Sequence, residues 1–105
     1  MNGDSIQDAL NCLAEAVPRG SKVILFGSQA RGDALPDSDL DVLIIEPEVS
    51  DRAAEMVRLS ALLGRRLIPA DVVVMSRNAF ERLSEVPNSL AYRAVRERKT
   101  HEPAR

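Results

Sequence analysis

Apolar residues recur along this chain in two rhythms, and the switches between them predict its elements. Ile6, Leu10, Leu13 and Val17 fall at i, i+4, i+7 and i+11, one face of a helix over residues 4–17. Asp4 or Ser5 can cap its start, and Pro18-Arg19-Gly20 stops it. Lys22–Phe26 is a short apolar run bounded by glycines, which reads as a buried strand. Ser28–Arg31 is then one helical turn closed by Gly32, and residues 33–38 form a polar loop turned by Pro36 and Asp37. Asp39–Glu46 is a second strand whose Val-Leu-Ile-Ile run predicts burial on both faces. After Pro47, Ser50 or Asp51 caps a helix to about Arg65, with Ala53, Met56, Val57, Ser60 and Leu63 inward and Arg52, Glu55 and Arg58 in water. Asp71–Met75 is a third strand. Ser76 caps a helix with Phe80 and Leu83 inward, and beyond Pro87-Asn88 a last helix runs from Ser89 to Arg98. The order α-β-α-β-α-β-α-α predicts an α/β fold, with helices layered on a small sheet. Residues 1–98 form its single domain, and 99–105 a polar tail.

Bulk properties narrow the partners. A chain of 105 residues can bury one real core. Its net charge of −2 gives no field that would gather nucleic acid or an anionic membrane, so neither is the expected partner. The lone Cys12 permits no internal disulfide and sits at the margin of the first helix's apolar face, where a filler role is the commoner reading. The first residues carry acids where a signal peptide needs bases, and no apolar run is long enough to span a bilayer. The default location is cytoplasmic.

The candidate chemistry gathers in residues 25–45. Strand side chains alternate, so Asp39 and Asp41 share one face while Leu40 and Val42 point to the core. Two such carboxylates repel, so one takes a proton or a cation sits between them. With no histidine or cysteine nearby, all-oxygen ligation favours Mg²⁺ or Mn²⁺. If the second and third strands are neighbours, Asp71 stands beside the pair, and Asp39, Asp41 and Asp71 together suit two-metal phosphoryl or nucleotidyl transfer. Gly27 lets a phosphate approach the backbone, Ser28 adds a hydroxyl donor, and Arg31 lies one turn on. Each feature has an ordinary reading as turn, strand entrance or ion pair, with Asp33 or Asp37 as the partner for Arg31. Neither Tyr92 nor His101 has a sequence partner that points to catalysis.

Gly27-Ser28, ten residues, then Asp39-Leu40-Asp41 resembles the signature of the polymerase-beta-like nucleotidyltransferase superfamily. The longer Gly-Ser-x-Ala-Arg-Gly and Ser-Asp-x-Asp match is similar to its minimal nucleotidyltransferase (MNT) branch, and the likeness takes in Asp71 and, more weakly, Ser89–Glu97. That resemblance implies a small mixed sheet flanked by helices, a palm-like core. It implies ATP as substrate with Mg²⁺, two ions held by Asp39 and Asp41 with Asp71 as the third acid, and phosphates held by Gly27 and Ser28. It also implies a HEPN-type toxin as partner, neutralised by transfer of AMP to a tyrosine near its ribonuclease site or by masking of that site. Where the family often closes with Glu-Gly and an apolar strand, this chain has Arg96-Glu97-Arg98-Lys99-Thr100-His101.

The leading expectation is thus a Mg²⁺-dependent nucleotidyltransferase that adenylylates a partner protein as the antitoxin of a HEPN/MNT pair. The alternative is an antitoxin that binds and masks the toxin without catalysis. Transfer to a small molecule, as in drug-modifying relatives, is disfavoured by the lack of a second domain to hold it. A chain this short also needs a partner or a second copy to complete the acceptor side.

Overall fold

A computed structural model describes residues 3–35 and 38–101; Pro36 and Asp37, the expected turn formers, lie outside the described residues. The elements follow in the order α1 (Gly3–Ala16), β1 (Lys22–Phe26), α2 (Gly27–Arg31), β2 (Leu40–Glu46), α3 (Arg52–Arg65), β3 (Ala70–Ser76), α4 (Arg77–Leu83), α5 (Leu90–Glu97) and β4 (Lys99–His101). The four strands form one mixed sheet in the order β3-β2-β1-β4. β1 lies antiparallel to β2 and to β4, whereas β2 and β3 run parallel across the α3 crossover.

Each face of the sheet carries its own core. On one side α1 and α3 bring Leu10, Leu13, Val17, Leu59 and Leu63 onto Val23, Leu25, Leu40, Val42, Ile44 and Val74. On the other, α4 and α5 cover Ile24, Phe26, Leu43, Ile45 and Met75 with Ala91 and Ala94, flanked by Phe80, Leu83 and Leu90. A strand clamped between two layers has no wet face, which is why β2 is an unbroken apolar run. Cys12 is half-buried against the first core, in keeping with a packing role. No helix among the described residues is long and apolar enough to cross a membrane.

Two expectations need correction. The buried stripe of α3 is Leu59 and Leu63, with Met56 half-buried beside them, while Ala53, Ser60 and Val57 are exposed, Val57 at 70 %. The first turn leaves Glu55 half-buried, while Arg52 stays exposed and reaches back to the sheet with its guanidinium. Arg52 Nε donates to the Val74 carbonyl at 2.6 Å, and Glu55 lies beside the buried Glu46. An apolar count cannot see partners of that kind. The second correction concerns residues 99–101, expected as tail. They form β4, with Val23 opposite His101 and Leu25 opposite Lys99. The free edge of β1 needs hydrogen-bond partners, and three residues of polar backbone serve as well as apolar ones.

Candidate active site

Strand direction assembles the site. β1 ends where the antiparallel β2 begins, so Phe26 pairs with Asp41. β3 runs in step with β2, so Asp41 pairs with Asp71. One row across the sheet therefore reads Phe26, Asp41, Asp71, with side chains on a common face. Asp39 lies two residues before Asp41, just outside β2, which starts one residue later than the apolar pattern predicts. Asp39 and Asp71 are exposed, and Asp41 is half-buried. Leu40 and Val42 are fully buried on the opposite face.

Asp41 carries the strain of this grouping. Burial, then the Asp71 carboxylate, push its pKa above the ordinary range; Arg93 opposes that, and Asp39 and Glu97 add to it. Among the described residues, no three acid, histidine or cysteine side chains converge into a ready metal-binding group. The donor set is all carboxylate oxygen at an open sheet end, which fits a hard divalent cation.

The glycine turn is fixed against this row. Gly27 has φ +74°, and a Cβ on it would collide with Asp41 Oδ2, with Asp41 Cγ at 3.1 Å and Cβ at 3.2 Å. Only glycine meets both the backbone and the space requirement. The turn of α2 closes at Gly32, whose amide bonds the Ser28 carbonyl at 3.0 Å. Ser28 is half-buried at the start of that turn. Arg31 Nε pairs with Asp33 at 3.2 Å, the ordinary reading for it, and its Nη1 meets Glu97 Oε2 at 2.7 Å. Asp33, then Glu97, raise the guanidinium pKa above its usual value.

Two residues of α5 reach the site unforeseen. Glu97 Oε1 accepts the Gly27 amide at 3.1 Å. The guanidinium carbon of Arg93 stands 6.0 Å from the centroid of the Phe26 ring, close enough to Asp41 to lower its pKa. Their spacing of four residues on one helix was a faint signal, because it marks a shared face without saying what that face meets. Tyr92 is covered by Arg96, 3.6 Å from its ring centroid, and takes no part in the acid row.

Residues 6–101 match the family model described as the nucleotidyltransferase domain. The chain belongs to that family. A bifunctional uridylyltransferase/uridylyl-removing enzyme of Ralstonia nicotianae is 36 % identical over 50 residues, 48 % of this chain and 6 % of that protein. The matched stretch thus spans only a small part of that relative's length. In fold it is similar to a crystal structure of a toxin–antitoxin with AMP-PNP, at a TM-score of 0.54 and 23 % identity, over 79 % of this chain and 67 % of that one. The mixed sheet and flanking helices are those of a nucleotidyltransferase fold. Nucleotidyl transfer is the chemistry of the family.

Proposed function

We propose that the protein is a Mg²⁺-dependent nucleotidyltransferase that moves AMP from ATP to a tyrosine hydroxyl of a partner protein, a HEPN-type toxin for which it is the antitoxin. The observation that carries this reading is the packing of Asp41 on Gly27, in register with Asp71. It fixes the acids and the glycine turn at one end of one sheet. The net charge of −2 favours a protein acceptor over a polynucleotide. The toxin–antitoxin of similar fold, crystallised with AMP-PNP, lends support to both the partner and the nucleotide.

In this reading Asp39, Asp41 and Asp71 hold the divalent ions. When bound, these lower the pKa of an attacking hydroxyl and offset the charge of the triphosphate. Gly27 and Ser28 orient the phosphates, and Arg31 offers a charged fork to their oxygens. The tyrosine oxygen forms its bond to the α-phosphorus as the bond to pyrophosphate breaks. Asp71 receives the hydroxyl proton, and pyrophosphate departs on the Ser28 side.

The test is label transfer. The protein is mixed with Mg²⁺, the product of the neighbouring gene and ATP labelled at the α-phosphate, with labelled UTP in parallel and Asp39→Ala/Asp41→Ala as control. Label on the partner from ATP, lost in the control, is expected. Equal labelling by the control would sink the catalytic assignment of the acids. A stable complex with no label would leave masking without catalysis as the mode of neutralisation.

A further inference from the structure

Glu97 has no part in the chemistry above, yet it makes two contacts to the glycine turn. Its Oε1 accepts the Gly27 amide at 3.1 Å, and its Oε2 accepts Arg31 Nη1 at 2.7 Å. A carboxylate that bridges a backbone amide and a guanidinium presents charge and acceptors much as two phosphate oxygens do. The Gly27 amide has a single hydrogen, so it can serve Glu97 or a phosphate at any moment, but not both. Nor does its own helix favour Glu97. It is the last residue of α5, where the helix dipole disfavours an anion.

We propose that Glu97 is an internal competitor of the substrate triphosphate, a residue that sets nucleotide affinity by occupying the phosphate donors until the nucleotide displaces it. This rests on the reading of Gly27 and Arg31 as phosphate-holding groups. Displacement is local. Arg98, next along, is already extended, so the carboxylate can swing without unwinding α5. Arg93 lies one turn back on the same helix and offers the freed carboxylate a new partner. The exchange also releases one arm of Arg31 for the incoming phosphates.

The experiment is calorimetric titration of a non-hydrolysable ATP analogue with Mg²⁺ into the wild-type protein, Glu97→Gln and Glu97→Asp, with a melting curve for each. Glu97→Gln removes the charge, and Glu97→Asp is too short to bridge both donors. Each variant is expected to bind the analogue roughly five- to tenfold more tightly while melting no higher than wild type. A structural brace would lose affinity and stability together. Equal or weaker binding by both variants, with wild type binding normally, overturns the competitor role alone. No binding by any of the three overturns the nucleotide site itself, and the competitor with it.

Discussion

Asp41 fills the space that any side chain at residue 27 would need, so the acid and the glycine turn are fitted to each other. Gly27→Ala meets two penalties at once, a positive φ and a collision with Asp41 Oδ2. It should destabilise the fold by about 2 kcal/mol or more, read by urea unfolding, and weaken nucleotide binding in step. An alanine variant as stable as wild type would mean that the turn relaxes freely.

Crowding of the acids should appear as a trade between stability and activity. Burial and Asp71 raise the pKa of Asp41, so its ionised form works against folding at neutral pH. Asp41→Asn is expected to raise the melting temperature at pH 7 while lowering nucleotidyl transfer by at least about a hundredfold. A lower melting temperature would show that Asp41 is held by contacts that favour its charge.

A second acid pair governs the response to pH. Glu46 is 3 % exposed, and its Oε2 has no hydrogen-bond partner. Burial, then Glu55, push its pKa up to about 8, whereas Arg58, then Glu46, lower that of Glu55. Between the ordinary value of 4.5 and about 8, an unfolded Glu46 ionises while the folded one keeps its proton, so stability falls as pH rises through that window. Glu55 acts the other way, and its share is lost as pH falls through its lowered pKa. Glu46→Gln should therefore melt higher than wild type at pH 8, with the gap closing towards pH 5. A gap of equal size at both pH values would rule out the titration of Glu46 as its source.

The true face of α3 can be tested by a contrast. Leu59 is fully buried and Val57 is 70 % exposed. Leu59→Ala should cost about 2–5 kcal/mol in chemical unfolding, and Val57→Ala should stay within about 0.5 kcal/mol of wild type. The reverse order would mean that α3 is rotated by about one residue.

The elements were legible where side-chain pattern and backbone demand agree. Val42–Ile45 could only be a doubly covered strand, and Ser76 and Asp51 cap the helices they precede. Val57 misled because an apolar residue on a helix looks inward until the half-buried place of Glu55 beside Glu46 is known. β4 was hidden because Lys-Thr-His has no apolar pattern and pairs with the backbone edge of β1. At the site, Asp39 and Asp41 announce themselves by adjacency. Asp71 joins them only through the parallel register of β2 and β3. Glu97 gave only a faint signal, since its meaning comes from an amide 70 residues away.

That separation bears on the order in which the site comes into being. During synthesis the acids and the glycine turn leave the ribosome with the first three strands, ahead of α5 and β4. A nascent chain can bring Asp41 beside Asp71 while the Gly27 amide still lacks its carboxylate partner. Both contacts of Glu97, to the Gly27 amide and to Arg31, can form only once residue 97 has emerged.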